Sequence, residues 1–239
     1  MIATGGKSIY GASVGILMLD ARFPRIPGDM GNALTWPFPV LYRVVRGASP
    51  DLVVRQGAEG MLGPFIEAAR DLIRDGADGI TTNCGFLSLF QDELAEALSV
   101  PVATSSLMQV AHVNRFLPKG KRAGVLTISA STLTSVHLEK AGVPADTPIG
   151  STEGGTEFTR AILSDEMELD VDAARADNVA AAVALKADNE DVGALVLECT
   201  NMCPYAADIR DATGLPVYSM VTLVEWLQAG LAPRRFPER

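Results

Sequence analysis

The sequence predicts an α/β protein made of two pseudo-symmetric domains, each a parallel sheet flanked by helices, with its active site in the cleft between them. Three observations support this prediction. Short apolar runs alternate with helical stretches along the chain. A segment of the first half repeats in the second half. Each copy of the repeat places a cysteine just beyond the end of a predicted strand.

The strands are predicted from nearly continuous apolar runs, which are typical of parallel strands buried on both faces. The predicted strands cover residues 13–19, 38–45, 79–82, 100–104, 122–128, 194–197 and 215–218. Helices are predicted at residues 57–74, 89–98, 106–116, 130–141, 171–187, 205–212 and 221–231. Alternation of strands and helices indicates parallel strands joined by right-handed crossovers.

The internal repeat is the most informative feature. Residues 80–86 (ITTNCGF) align with residues 195–201 (LVLECTN), which places Cys84 opposite Cys199. We therefore expect two halves of similar build, related by a pseudo-two-fold axis. The predicted boundaries are residues 1–106 plus 219–239 for the first domain and 107–218 for the second, with the C-terminal helix returning to the first.

Composition excludes several classes of protein. The net charge of −9 argues against a nucleic-acid partner, because phosphate backbones require clustered Lys and Arg. No apolar run reaches the ~18 residues that span a bilayer, and no secretory signal opens the chain, so we expect no membrane partner and a cytoplasmic location. The three cysteines are expected to be free thiols. No metal site is expected, because Cys199 and Cys203 have no Cys or His cluster beside them.

The cysteine pair suggests a reaction. Ligands of open α/β sheets bind beyond the carboxyl ends of the strands, where Cys84 and Cys199 are predicted to lie. One thiolate would remove a proton from carbon while the other thiol returns a proton to the opposite face. Helix N-termini that follow each cysteine are expected to lower the thiol pKa and to hold a carboxylate. The expected substrate contacts beside the cysteines are Asn83, Gly85, Phe86, Thr200 and Asn201.

Other polar residues are predicted near the mouth of the cleft. The loop at residues 21–39 is rich in Pro and Gly, and Asn32 within it is a candidate substrate contact. Ser129 is a second candidate, although it could equally cap the following helix. Glu198 is expected to point away from Cys199, and Cys203 is expected to be structural. Four arginines are candidate clamps for a second carboxylate: Arg22, Arg25, Arg43 and Arg46.

The motifs GILML (residues 15–19), TTNCGF (81–86) and LECTNM (197–202) resemble the aspartate/glutamate/hydantoin racemase superfamily, which includes maleate isomerases and arylmalonate decarboxylases. The resemblance implies two α/β domains around a small-acid site, no pyridoxal phosphate or other cofactor, and a homodimer or higher homo-oligomer. It also implies that Cys84 and Cys199 are the acid/base pair and that Thr200 contacts a carboxylate.

The sequence also departs from the glutamate racemase pattern. Gly85-Phe86 stands where Asn-Thr usually follows the first cysteine, and Asn201 replaces the usual His of the second motif. Arylmalonate decarboxylases keep only the second cysteine, so the presence of Cys84 favours a two-base enzyme.

The resulting hypothesis is a cofactor-independent racemase or epimerase that inverts the α-carbon of a small carboxylate, with an acidic amino acid as the expected substrate. Two alternatives stay open. One is a maleate-type cis–trans isomerase with Cys84 as nucleophile, and the other is a non-catalytic small-acid binding protein. A redox protein is disfavoured because the chain has no Cys-x-x-Cys motif.

Overall fold

The computed structural model describes residues 2–237, which form two four-stranded parallel sheets flanked by helices. The first sheet has the order β2-β1-β3-β4 and the second has the order β6-β5-β7-β8, so the two halves share one topology. The predicted fold class is confirmed. The strands of the first sheet are β1 (Val14–Leu19), β2 (Val40–Val45), β3 (Gly79–Thr82) and β4 (Val102–Ala103). Those of the second are β5 (Arg122–Thr127), β6 (Ile149–Ser151), β7 (Val192–Leu197) and β8 (Val217–Tyr218).

Helices cover both faces of the sheets. They are α1 (Pro50–Arg55), α2 (Leu62–Asp75), α3 (Gln91–Ala97), α4 (Val110–Phe116), α5 (Ser135–Lys140), α6 (Phe158–Leu163), α7 (Val171–Asp188), α8 (Ala206–Thr213) and α9 (Met220–Leu231). A short 3-10 helix follows each motif cysteine, at Gly85–Phe90 and at Thr200–Tyr205. Within residues 2–237, no helix is both long and apolar enough to cross a bilayer.

Several element predictions were wrong in detail. The helix predicted from residue 57 begins at Leu62, because Gly57, Ala58 and Gly60 have φ values of 64°, 54° and 74°, which a helix cannot contain. The helix predicted from residue 130 begins only at Ser135, where Thr134 forms the capping box. Sequence periodicity missed α1, α6 and β6, which are only three to six residues long.

The C-terminal helix α9 packs on the first sheet. Its residues Leu223 and Val224 share a buried cluster with Val14 and Ile16 of β1. Gly79 of β3 faces the same helix, since a Cβ there would lie 2.6 Å from a methyl carbon of Leu231. The exact domain boundaries, at residues 106 and 219, stay a prediction.

Candidate active site

Two cysteines, one from each half, lie at one buried cavity. Strand β3 ends at Thr82 and β7 ends at Leu197, so Cys84 and Cys199 each lie two residues past the carboxyl end of a central strand. Their exposed fractions are 8% and 7%. Both line the same cavity. A small ligand held there would lie beside a cysteine from each half.

The cavity is largely apolar and is built from both halves of the chain. The first half supplies the loop after β1, helix α1 and the segment around Cys84, and the second half supplies helix α6 and the segment around Cys199. Its fourteen lining residues are Leu19, Phe23, Pro50, Val54, Asn83, Cys84, Phe86, Ile128, Ile162, Leu163, Glu198, Cys199, Thr200 and Asn201. Such enclosure excludes water and strengthens electrostatic interactions inside the cavity.

The thiols are held in their neutral form. Burial, followed by the charge of Glu198, raises the pKa of Cys84 to about 12, although the backbone N–H groups of Phe86 and Leu87 and the charge of Arg25 oppose this shift. Burial and the charges of Glu198 and Cys84 raise the pKa of Cys199 well above its ordinary value. The expectation that the following helices lower both thiol pKa values was therefore wrong, because desolvation outweighs the N–H donors.

Glu198 lies on the cavity wall with a fully buried carboxyl group. Thr127 Oγ1 donates to its Oε2 at 2.7 Å, and the nearby backbone N–H of Ile128 also favours the charged form. Burial raises the pKa of Glu198 to about 7. The sequence-based expectation that Glu198 points away from the site was wrong. Regular strand geometry ends at Leu197, so the alternation of side chains no longer applies at the next residue.

Asn83 and Thr200 connect the two halves beside the cysteines. Thr200 Oγ1 donates to the backbone carbonyl of Asn83 at 2.5 Å, so the hydroxyl predicted to hold a carboxylate is already engaged between the halves. Asn83 Oδ1 accepts from the backbone N–H of Leu19 at 2.7 Å. Among the residues that the structure describes, the buried Nδ2 of Asn83 has no acceptor. Asn83 thus offers a free donor at the cavity.

A polar chain links the loop at residues 21–39 to Cys199. The Cys199 thiol donates to Asn201 Oδ1 at 3.6 Å, and Asn201 Nδ2 donates to Asp29 Oδ2 at 2.6 Å. Asp29 is 2% exposed and also accepts from Arg25 Nη1 at 3.0 Å. The Arg25 guanidinium stacks 4.5 Å from the centre of the Phe23 ring, which lines the cavity. The loop is therefore fixed over the site by buried ionic hydrogen bonds.

Gly85 and Phe86 follow Cys84 and have different roles. Phe86 lines the cavity, and its ring packs edge-on against His137 with centroids 5.0 Å apart. Gly85 lies against Glu198 from the other half, and an added Cβ would overlap both the backbone oxygen and Oε1 of that residue. Gly85 therefore permits close approach of the halves next to the first cysteine.

A family model described as Asp/Glu/hydantoin racemase matches residues 55–227, a segment that includes both cysteines. The chain belongs to the Asp/Glu/hydantoin racemase family. Solved structures agree with this at the level of the fold. A glutamate racemase isoform from Bacillus anthracis superposes with a TM-score of 0.60 at 19% identity, covering 93% of this chain and 85% of that one. An arylmalonate decarboxylase gives a TM-score of 0.55 at 19% identity, with 94% and 95% covered.

Sequence comparison also finds relatives of this racemase-family chain that are named as lyases. A dimethylsulfoniopropionate lyase of Durusdinium sp. clade D is 29% identical over 234 residues, covering 93% of this chain and 76% of the relative. Dimethylsulfoniopropionate lyase 3 of Emiliania huxleyi (strain CCMP1516) is 28% identical over 228 residues, covering 92% of this chain. The match spans 60% of that longer relative.

Two predicted substrate contacts of this family member lie elsewhere. Asn32 is not among the residues that line the cavity; it caps the short helix Ala33–Thr35 and donates to the Arg25 carbonyl. Ser129 is also absent from the lining, and its hydroxyl donates to Glu153 at 2.7 Å. The helix cap suggested for Ser129 is provided by Thr134 instead. Three of the candidate arginines pair with carboxylates outside the lining: Arg22 with Asp165, Arg43 with Asp75, and Arg46 with Asp20.

Several residues that shape the site carry no signal in the sequence. Pro50, Val54, Ile162 and Leu163 line the cavity from α1 and α6, the two short helices that periodicity does not predict. Asp29 meets Asn201 across 172 positions of sequence, a pairing that no local pattern encodes. Glu198 does leave a signal, since a carboxylate that ends an otherwise apolar strand is unusual.

Proposed function

We propose that this chain is an enzyme that removes the proton next to the carboxylate of a small substrate, and that its reaction is an elimination. The substrate class is a 3-(dialkylsulfonio)propanoate, and the products are a dialkyl sulfide and acrylate. The observation that carries the proposal is a pair of buried thiols at one cavity, in a chain that matches dimethylsulfoniopropionate lyases over more than nine-tenths of its length.

The reaction needs only a base and a leaving group. A cysteine thiolate takes the proton from the α-carbon, and the C–H electron pair becomes the carbon–carbon double bond. The bond between the β-carbon and sulfur breaks, and the neutral sulfide leaves with the bonding electrons. The protonated cysteine then returns its proton to water. Of the two thiols, Cys84 has the stronger support for a thiolate, because two N–H groups and Arg25 favour its charged form.

The polarity of the cavity suits this substrate. The free Nδ2 of Asn83 can donate to the substrate carboxylate, which stabilises the charge that develops there as the α-proton leaves. The apolar walls from α1 and α6 fit alkyl groups on sulfur and exclude water from the intermediate.

Racemisation of a small carbon acid is the second candidate, and the presence of two thiols rather than one favours it. Elimination requires a single base, whereas inversion requires bases on both faces of the carbon. An acidic amino acid fits the cavity less well. None of the described lining residues is Lys or Arg, so the side-chain carboxylate would have no cationic partner.

The test is incubation of the enzyme with dimethylsulfoniopropionate in D2O, followed by gas chromatography of dimethyl sulfide and NMR of acrylate. We expect wild-type enzyme to release both products in equal amounts. Cys84→Ser should lower the rate by about 10²–10⁴-fold, whereas Cys199→Ser should lower it less, because the elimination needs a single base. Cys203→Ser is the matched control, because Cys203 is equally buried but packs beneath α9.

Other outcomes identify the alternatives. Deuterium entering the α-carbon of an amino acid, without release of sulfide, would replace the elimination with racemisation. A covalent thioether on Cys84 after incubation with maleate would indicate the cis–trans isomerase. Binding of small acids without turnover of any substrate in the panel would contradict an enzymatic role.

A further inference from the structure

Asn83 and Glu198 occupy equivalent positions in the two halves. Each residue directly precedes its motif cysteine, and the repeat aligns one with the other. Asn83 accepts from the backbone N–H of Leu19, and Glu198 lies near the backbone N–H of Ile128, at the matching end of the neighbouring strand. The scaffold around the two side chains is therefore the same, while their chemistry is opposite.

Each of these side chains has one buried atom without a partner. Among the residues that the structure describes, no acceptor reaches Asn83 Nδ2 and no donor reaches Glu198 Oε1. The exposed fractions of the two residues are 2% and 0%, and both residues line the cavity. Buried polar groups without partners are costly, so this pair points to a ligand that supplies an acceptor at Asn83 and a positive centre or donor at Glu198.

We propose that Glu198 is the counter-ion for a cationic centre of the substrate, so that the cavity selects zwitterions with an onium group at one end and a carboxylate at the other. This inference rests on the proposed function and assigns its specificity to one residue. Glu198 is the one lining residue of the described chain that carries a formal charge.

The same contact explains how a thiolate forms in so apolar a site. In the ligand-free cavity, burial and the charge of Glu198 keep both thiols protonated. A substrate cation beside Glu198 offsets that charge and lowers the thiol pKa values by direct attraction. The base is therefore generated when the correct substrate is bound, and a carboxylate of the same shape without the onium charge would leave the thiols unreactive.

The experiment uses two ligands of equal size that differ in charge. They are 3-(trimethylammonio)propanoate and 4,4-dimethylpentanoate, in which carbon replaces the quaternary nitrogen. Dissociation constants are measured by calorimetry at pH 8.5. We expect the wild-type protein to prefer the cationic ligand by at least tenfold. Glu198→Gln keeps the acceptor for Thr127 but removes the charge, and its preference should fall to about onefold while it still binds 4,4-dimethylpentanoate.

Glu153→Gln is the matched control, because this carboxylate lies in the same half but is held by Ser129 and Ser131 away from the lining residues. It should keep the wild-type preference. A measurement on unmodified protein supports the variant: the preference should drop at least tenfold at pH 5.5, where Glu198 is protonated. In the ligand-free protein, the other titratable residues that line the cavity, Cys84 and Cys199, stay neutral across this range, because burial raises the pKa of both thiols.

The outcomes separate this inference from the function it rests on. Equal binding of both ligands by wild-type protein, or an unchanged preference in Glu198→Gln, would overturn the role of Glu198 and leave the elimination standing. Failure of wild-type protein to bind either carboxylate would overturn the small-acid site itself, and with it both proposals.

Discussion

Replacing Gly85 by Ala tests how closely the two halves approach beside the first cysteine. The added methyl group would overlap the backbone oxygen and Oε1 of Glu198 and would lie 3.0 Å from its carboxyl carbon. A backbone oxygen cannot rotate away as a flexible side chain can, so relief requires moving the Cys84 segment relative to β7. Overpacking of this kind typically costs about 1–3 kcal/mol, and we expect a loss of about 3 kcal/mol here.

Thermal unfolding followed by circular dichroism measures this loss. For a chain of this size, about 3 kcal/mol corresponds to a decrease in Tm of roughly 6–12 °C. Gly63→Ala is the control, because Gly63 lies in α2 and a methyl group added there would have no atom within 4 Å. That substitution should stabilise the protein by about 0.5–1 kcal/mol through helix propensity. A Gly85→Ala protein that melts at the wild-type temperature would refute the close-approach argument.

Two further predictions concern buried charges. Burial raises the pKa of Glu198 from 4.5 to about 7, so the native state binds this proton more tightly than the unfolded state does. The contribution of Glu198 to stability is therefore present below pH 4.5 and is lost as the pH rises through 7. In urea unfolding, the free energy of unfolding of the wild-type protein should fall by on the order of 3 kcal/mol relative to that of Glu198→Gln between pH 4.5 and 8. The same pH dependence of this free energy in both proteins would contradict the prediction. Asp29→Asn should cost about 3 kcal/mol by leaving Arg25 unpaired and presenting an amide donor to Asn201. Hydrogen exchange should then accelerate in residues 21–39, and exchange that stays at the wild-type rate would argue against the polar chain.

The sequence was sufficient for the fold and for the cysteines, for identifiable reasons. A repeat at constant offset and apolar runs of four to eight residues are global patterns that survive errors in single elements. They placed β3 and β7, and therefore Cys84 and Cys199, at the ends of equivalent strands. The walls of the cavity depend instead on short elements with no periodicity, such as α1 and α6. The hydrogen bond from Thr200 to the Asn83 carbonyl likewise cannot be predicted without knowing the tertiary packing.

Electrostatics was the least predictable part of the site. A cysteine followed by a helical turn suggests a low thiol pKa, and that expectation holds where the thiol is partly exposed. Here both sulfurs are more than nine-tenths buried and share a cavity with a carboxylate, so desolvation and like charge decide the outcome. Motif spacing gives the position of a group along the chain, but its exposure depends on which residues from the other half cover it.

The asymmetry between Asn83 and Glu198 bears on which reaction a two-fold scaffold can perform. Inversion at a carbon presents mirror-related reactants, so it is best supported by matched groups on the two sides. Elimination has one base and one leaving group, and its two ends differ in charge. This chain keeps the matched thiols but sets a neutral donor in one half against a carboxylate in the other, both at the same position of the repeat. A substrate with a carboxylate at one end and an onium leaving group at the other provides a partner for both Asn83 and Glu198. Such a substrate binds in a single orientation, with its onium leaving group beside the Glu198 carboxylate.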